Sequence, residues 1–290
     1  MLRSMYAGIS GLKNFQTKLD VIGNNISNVN TYGFKKGRTV FKDLYSQTVA
    51  GASAPGGNRG GVNPKQVGLG SQLAAIDTLH SAGSTQFTGN TTDLAIEGDG
   101  FFVVQDGDLA DKRYTRAGNF YLDSGTPPAT TGAASGPARL VDGDGRFVLG
   151  YQPDPGGKTF PATPGVLSQI TIPSDATSMS VGQDGTVNYV QGGELKVAGR
   201  IAIATFNNPG GLEKVGGNLF FNTGSSGAPL TGYSLADGRG SIKSGSLEMS
   251  NVDLSEEFTE MIVAQRGFQA NTRIITTSDE ILQELVNLKR

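Results

Sequence analysis

The sequence has no cysteine and no tryptophan, and its only histidine is His80. Without cysteine the chain can form no disulfide, thiolate metal site or thiol nucleophile, and one imidazole cannot build a histidine metal cluster. No apolar run approaches the roughly 18 residues of a membrane-spanning helix. Lysine plus arginine (24) is balanced by aspartate plus glutamate (26), whereas nucleic-acid binding needs a clustered positive excess. We therefore expect neither membrane insertion nor nucleic-acid binding.

Glycine is abundant instead, with 43 glycines and 12 prolines among 290 residues, which favours short strands joined by turns. Between about residues 70 and 250 the apolar period is close to two, as in strands. The runs that predict strands are 94–96, 101–104, 170–172, 187–190 and 201–204. Asp-Gly pairs, which favour hairpin turns, occur at 99–100, 106–107, 142–143, 144–145, 184–185 and 237–238. A flexible connector is expected at 50–61 and a Pro/Gly loop at 152–165.

The N-terminal stretch has a helical period instead. Its apolar residues recur every three or four positions, which predicts one stripe along a helix. They are Leu2, Met5, Ile9, Leu12, Phe15, Leu19, Ile22, Ile26 and Val29. Glycines at positions 8, 11 and 23 each weaken a helix by about 1 kcal/mol, so the order of this helix must come from packing.

The C-terminal stretch predicts a second amphipathic helix, with Asp253 or Ser255 as N-cap. The residues predicted to pack along its main seam are Leu254, Phe258, Met261, Gln265, Phe268, Asn271, Ile275, Leu282 and Val286. A second seam of Ile274, Ile281, Leu285 and Leu288 would let the helix touch two neighbours. Residues 1–42 carry seven bases and one acid, and residues 253–290 carry seven acids and four bases, so the two helices attract each other.

The predicted fold class is therefore α+β. The N- and C-terminal helices are expected to pair as a coiled-coil core domain, and a mainly antiparallel β domain lies between them in sequence. The expected segments are an N-terminal helix in 1–35, an extended connector in 36–70, a β-rich outer domain in 71–249 and a C-terminal helix in 250–290.

Residues with catalytic potential are few and poorly grouped. Asp142-Gly143-Asp144-Gly145 begins like a calcium loop, but Arg146 and Pro153 stand where ligands are needed, so a hairpin turn is the better interpretation. Gly156-Gly157-Lys158-Thr159 lacks the first glycine and the helix of a phosphate loop. His80 is expected to be a packed or surface residue. We predict no catalytic, cofactor-binding or metal-binding residue, hence no enzyme and no cofactor.

Two other classes remain open at this stage. A hydrolase would need a carboxylate pair, for which Glu97 and Asp99 are the candidates. A β-rich adhesin or carbohydrate binder would need an exposed aromatic platform, for which Tyr114, Phe120 and Tyr121 are the plausible cluster.

Four stretches resemble the bacterial flagellar hook and basal-body rod family. Residues 19–35 (LDVIGNNISNVNTYGFK) are similar to its N-terminal signature, and 250–254 (SNVDL) with 261–271 (MIVAQRGFQAN) to its C-terminal block. Residues 93–102 (DLAIEGDGFF) and 114–120 (YTRAGNF) match between them. The resemblance implies that the signature serves subunit assembly through Leu19, Asp20, Asn24, Asn25, Asn28, Thr31, Gly33, Phe34 and Lys35.

The resemblance also implies a structural role in a helical homopolymer, with the paired helices as an inner tube and the β domain outside. It implies a location in the bacterial flagellum, either the extracellular hook or the basal body. Implied partners are further copies, neighbouring rod and hook–filament junction proteins, the hook cap and the flagellar type III export apparatus. The first eight residues lack the basic and apolar regions of a cleaved signal peptide, so export without one is expected.

Within the family, residues 41–44 and 60–70 are similar to a short hook protein. Residues 170–177 and 185–187 also resemble the distal rod protein. The expected function is that of a flexible hook joint transmitting motor torque to the filament, with a distal rod subunit, part of the drive shaft, as the alternative. Deleting residues 1–35 or 250–290 is expected to abolish polymerisation while the β domain stays folded.

Overall fold

The computed structural model describes residues 2–55, 60–107, 112–124, 136–154, 160–161 and 165–288. The expected connector 50–61 and Pro/Gly loop 152–165 lie partly outside these residues, and the rejected phosphate-loop motif at 156–159 lies wholly outside them. The described chain forms two compact units. Unit 1 draws on residues 2–27, 36–79 and 252–288, and unit 2 on residues 28–35 and 80–251.

Unit 1 contains two long helices, α1 (Leu2–Ser27) and α2 (Leu254–Leu288), which pack against each other. Asp253 caps α2, since its Oδ1 accepts a hydrogen bond from the Ser255 amide at 2.8 Å. Four strands complete the unit: β1 (Gly37–Asp43), β2 (Ser46–Ala50), β3 (Lys65–Gly68) and β4 (Ser71–Thr78). They form two antiparallel pairs, β1 with β4 and β2 with β3.

Unit 2 is built from short strands, with mainly antiparallel pairing. They are β5 (Thr85–Phe87), β6 (Leu94–Glu97), β7 (Phe101–Gln105), β8 (Lys112–Thr115), β9 (Tyr121–Asp123), β10 (Ala138–Val141), β11 (Phe147–Tyr151), β12 (Ser168–Gln169), β13 (Thr171–Ile172), β14 (Ser178–Val181), β15 (Thr186–Gln191), β16 (Glu194–Ile201), β17 (Ile203–Thr205), β18 (Glu213–Gly216), β19 (Leu219–Phe221), β20 (Leu230–Gly232), β21 (Ser241–Ser244) and β22 (Ser246–Glu248). The main path of the large sheet is β14-β15-β16-β11-β7-β8-β19-β18.

The core of unit 2 lies on both faces of strand β7. Phe102 and Val104 belong to one buried cluster, and Phe101 and Val103 belong to another. Because side chains alternate along a strand, a strand that is apolar at every position is buried on both sides. The continuous run at 101–104 therefore marks the centre of the sheet.

Three of the five predicted strand runs lie wholly within single strands. Runs 94–96, 101–104 and 187–190 fall within β6, β7 and β15, whereas 170–172 and 201–204 each include one residue outside the strands, Ile170 and Ala202. The predicted hairpin at Asp142–Gly145 is confirmed, because it joins the paired strands β10 and β11. The Asp-Gly pairs at 99–100 and 237–238 instead connect strands that pair with different partners.

The units also differ from the expected chain segments. Where an extended connector was expected in 36–70, the structure has strands β1 to β3. Strand β4 follows them into unit 1 because it pairs with β1. Residues 28–35 belong to unit 2, and the Gly33 amide there donates a hydrogen bond to the Glu248 carbonyl at 2.8 Å.

Candidate functional site

The two helices of unit 1 approach each other through small residues. A Cβ atom built on Gly267 of α2 would lie 2.5 Å from the ring of Phe15 on α1. On α1, a Cβ on Gly8 would lie 3.3 Å from Ile275, and one on Gly11 would lie 2.7 Å from the side chain of Asn271. The glycines that weaken an isolated helix thus provide space for its neighbour.

The buried face of α2 differs from the predicted seam. It carries Glu257, Ala264 and Ser278, each less than a tenth exposed, at helical spacing. Among the residues predicted to pack, Met261, Asn271, Ile275 and Leu282 are half-buried on this face. The other predicted packing residues are exposed: Leu254, Phe258, Gln265, Phe268 and Val286. Large apolar residues guided the prediction, whereas close helix packing selects small ones.

Opposite charges join elements of unit 1. Lys18 of α1 forms an ion pair with Glu260 of α2. Lys36, which precedes β1, pairs with Glu256 at 2.7 Å. The expected attraction between the two terminal segments is therefore seen as specific pairs. Their acids are about half exposed, so each pair adds little stability and mainly fixes register.

Asn25 is the buried signature residue of unit 1, with only 1% of its surface exposed. Its Oδ1 accepts the Gly37 amide at 2.9 Å, and its Nδ2 donates to the Gly37 carbonyl at 2.9 Å and to Glu257 Oε2 at 3.1 Å. One amide side chain thus connects α1, the start of β1 and α2. Leu19 is half-buried on α1, and Asp20 and Asn24 are exposed there.

The remaining signature residues form a crossing segment, which we define as residues 28–35 of unit 2. Its turn is closed by Thr31, whose amide donates to the Asn28 carbonyl at 3.1 Å. Gly33 follows with a φ of +69°. Lys214 donates to the Lys35 carbonyl at 2.8 Å and lies over the Phe34 ring at 4.8 Å.

The side chain of Lys35 enters a buried triad, which we define as Lys35, Arg116 and Glu248. Lys35 Nζ donates to Glu248 Oε1 at 2.5 Å, and Arg116 Nη1 donates to Glu248 Oε2 at 3.1 Å. All three side chains are at most 3% exposed. The carboxylate therefore lies between two cations in a desolvated site, where the loss of Glu248 would leave two buried cations without a counter-charge.

Backbone groups complete the triad. Lys35 Nζ also donates to the Ser81 carbonyl at 2.8 Å, and the Gly83 amide donates to Glu248 Oε1 at 3.0 Å. Arg116 Nη2 donates to the Gly98 carbonyl at 2.7 Å. Burial lowers the pKa of Lys35, while the neighbouring Glu248 carboxylate opposes that shift.

His80 lies beside this triad, as a packed residue. Its ring meets those of Phe101 and Phe220 edge-on, with centroids 5.6 and 5.4 Å apart. Burial, together with the nearby charges of Lys35 and Arg116, lowers the pKa of His80 to about 4. The imidazole is therefore neutral at pH 7, and it adds no charge beside the triad.

Family models match the segments that carry Lys35, Arg116 and Glu248. Residues 5–35 match the family described as "Flagella basal body rod protein", 95–189 the "Flagellar hook protein FlgE/F/G D1 domain", and 243–288 the "Flagellar basal body rod FlgEFG protein C-terminal". The chain is 56% identical to the flagellar basal-body rod protein FlgG of Bacillus subtilis (strain 168) over 292 residues, covering all of both chains. The chain belongs to the flagellar hook and basal-body rod family.

Two further relatives come from Borreliella burgdorferi. The chain is 37% identical to its basal-body rod protein FlgG over 298 residues and 32% identical to its flagellar hook protein FlgE over 443 residues. Both alignments cover all of this chain and all of the relative. The hook and rod family is structural rather than enzymatic, which agrees with the prediction that the protein is not an enzyme.

The residues considered for other functions have ordinary structural roles in this family member. Glu97 forms an exposed ion pair with Lys243 at 3.2 Å. Tyr114 and Phe120 are 1% exposed, so the aromatic platform suggested by the sequence is wrong, and only Tyr121 of the three is exposed. Within the described residues, no group of three His, Cys, Asp or Glu side chains could hold a metal ion. None of the described helices is both long and apolar enough to cross a membrane.

Sequence reasoning found Lys35 but missed Arg116 and Glu248 as its partners. Arg116 lies in the quoted stretch 114–120, so a signal for it was present. Glu248 is an isolated acid at the end of a short strand, and no local pattern distinguishes it from a solvent-facing residue. Only the pairing of distant segments reveals its role.

Proposed function

We propose that this protein is the distal rod subunit of the flagellar basal body, a structural element of the drive shaft. The observation that carries the proposal is the 56% identity with Bacillus subtilis FlgG over the full length of both chains. The hook alignment with Borreliella burgdorferi FlgE needs 443 positions for the same 290 residues, because that hook protein is longer. The rod alternative is thus better supported than the hook function favoured by the sequence.

The helices supply surfaces for polymerisation. Ile274, Ile281, Leu285 and Leu288, the second seam predicted for α2, are between 43% and 83% exposed. Isolated exposed apolar residues are ordinary, but a row of them along one helix favours burial against another chain. We propose that neighbouring copies cover this seam, so that the terminal helices form a coiled-coil inner layer and the β-rich segment the outer layer.

The signature and C-terminal residues are proposed to serve this assembly in two ways. Asn25, Gly33 and Lys35 shape the subunit itself. The exposed residues Asp20, Asn24, Leu254, Phe258 and Val286 are proposed to lie at contacts between copies. Identical head-to-tail contacts that do not close produce a helical polymer. Proposed partners are further copies, adjoining rod and hook proteins and the flagellar export apparatus.

Electron microscopy of basal bodies from a strain lacking the gene tests the proposal. We expect rods that stop short, restored to full length when the wild-type gene is returned. A complete rod with no structure beyond it would instead identify the hook subunit. Basal bodies of normal length and composition would refute both assignments.

A further inference from the structure

The chain passes between the two units four times, at residues 27/28, 35/36, 79/80 and 251/252. These peptide segments are the covalent connections through which a force on the helices of unit 1 reaches unit 2. Three of the four lie within four residues of a group in or bonded to the buried triad: Lys35 at the second, Ser81 and Gly83 at the third, and Glu248 at the fourth.

The triad bonds the chain at these three unit boundaries together. Lys35 donates both to the Ser81 carbonyl and to Glu248, and the Gly83 amide donates to the same carboxylate. Asn251 adds a bond of 3.0 Å from its Nδ2 to Ser81 Oγ. These side-chain bonds join the chain at three unit boundaries, in addition to any strand pairing there. A force on the chain at one boundary is therefore shared with the other two.

Arg116 connects the Glu248 carboxylate to the large sheet. It follows β8, which lies between β7 and β19, and its guanidinium bonds to Glu248 and to the carbonyls of Ile96 and Gly98. The bonds are shielded from water, since the three side chains are at most 3% exposed. Shielded ionic hydrogen bonds compete with water less than surface pairs do, so they persist under load.

We propose that the buried triad of Lys35, Arg116 and Glu248 is a load-transfer joint. It passes torque from the chain segments at the unit boundaries 35/36, 79/80 and 251/252 into the β sheet of unit 2. The inference rests on the proposed function in a rotating shaft. It assigns a mechanical role to Lys35 and adds Arg116 and Glu248, which do not belong to either terminal helix.

The first test measures amide hydrogen exchange in the purified full chain. Lys35→Met and Glu248→Gln should each raise the amide exchange rate at Gly33 and at 81–83 by about tenfold or more. The reason is that residues 28–35 and the chain at 81–83 then open locally. Amides in β15 and β16, on the far side of the sheet path, should keep their wild-type rates. Lys35→Met leaves Arg116 and Glu248 as a balanced buried pair and is therefore the variant expected to stay folded, whereas Glu248→Gln leaves two buried cations without a counter-charge.

The matched control is the exposed ion pair between Lys243 and Glu97, on paired strands of the same unit. Lys243→Met and Glu97→Gln remove the same chemical groups where water can replace them. Exchange at Gly33 and 81–83 should remain at the wild-type rate in both. Equal exchange at these positions in the triad variants and the wild type would overturn the joint, as would a uniform rise across all strands.

The second test measures swimming speed in media of increasing viscosity, with each variant replacing the chromosomal gene. We expect the triad variants to assemble rods of normal length but to lose speed more steeply with load than the wild type and the Lys243 and Glu97 controls. Normal speed at high load, or failure of the folded Lys35→Met variant to enter rods, would overturn the load-bearing role. The exchange result is independent of the rod assignment, so its failure differs from a failure of the proposed function.

Discussion

Gly33 shows how a single position can require glycine for two reasons. Its φ of +69° is a left-handed conformation that side chains with a Cβ disfavour. A Cβ atom there would also lie 2.5 Å from the Ala117 amide nitrogen and 2.6 Å from the Arg116 carbonyl carbon. Backbone atoms cannot rotate away as a side chain does, so the crossing segment depends on this glycine to reach Glu248.

Gly33→Ala should lower the free energy of unfolding by about 2 to 5 kcal/mol, combining left-handed strain with a backbone clash. Urea denaturation of the purified chain would measure this change. Gly23 of α1 is the matched control, because a Cβ there meets no described atom within 4 Å and the backbone is helical. Gly23→Ala should stabilise the chain by about 1 kcal/mol, and equal effects of the two substitutions would refute the explanation.

Some of these individual residues could be predicted and others could not. Asn25, Gly33 and Lys35 lie in one short sequence stretch, whose resemblance to a family signature marks them together. Their three-dimensional roles separate within that stretch, since Asn25 joins elements of unit 1 and Lys35 enters the triad of unit 2. A sequence shows adjacency along the chain, whereas Arg116 and Glu248 are brought to Lys35 by strand pairing.

The pairing of α1 with α2 depends on side-chain size along one face. Gly267 of α2 receives the Phe15 ring of α1, and Ala264 is fully buried one turn earlier. Small residues let two helices approach closely, and any added volume at such a contact forces them apart or shifts their register.

Gly267→Leu should weaken the helix pair by about 1 to 3 kcal/mol, because the added side chain occupies the space of the Phe15 ring. Helical content followed by circular dichroism during urea denaturation would detect the earlier loss of α1 and α2. The control is Gly8→Ala, whose Cβ would lie 3.3 Å from the movable side chain of Ile275. A Gly267→Leu chain with wild-type helix stability would show that the contact does not hold the pair.

The helices and long strands were predictable because their apolar periods are strong. The stripe from Leu2 to Val29 matches α1, although the helix ends at Ser27, where the polar turn closed by Thr31 and Asn28 follows. Strands β2 and β3 were missed, because Ser46–Ala50 and Lys65–Gly68 are short, mostly polar and largely exposed. They are ordered by pairing with each other, and single-strand patterns do not record that pairing.

The two units are interleaved in the chain, and this changes the truncation experiment suggested by the sequence. Residues 28–35 lie before the strands of unit 1 in sequence but supply Gly33, Phe34 and Lys35 to unit 2. Removing residues 1–35 therefore removes a helix and also part of the β unit, whereas removing residues 1–27 affects unit 1 alone.

A variant lacking residues 1–27 should keep unit 2 folded but fail to polymerise, because α2 loses its partner. A variant lacking residues 1–35 should fail to polymerise and also unfold about 3 kcal/mol more easily, since Glu248 loses one of its two cations. Denaturation followed by the NMR signals of β15 and β16, together with electron microscopy for tubes, would distinguish them. Equal stability of the two variants would contradict the assignment of 28–35 to unit 2.

The interleaving also determines when folding can finish during synthesis. The partner of α1 begins at Leu254, and the partner of Lys35 is Glu248, so nearly the whole chain must leave the ribosome before either unit is complete. Contacts between such distant residues form slowly, because the intervening loop must close first. Neither unit therefore reaches its final form until the C-terminal segment has been synthesised, although the sheet strands of unit 2 precede that segment.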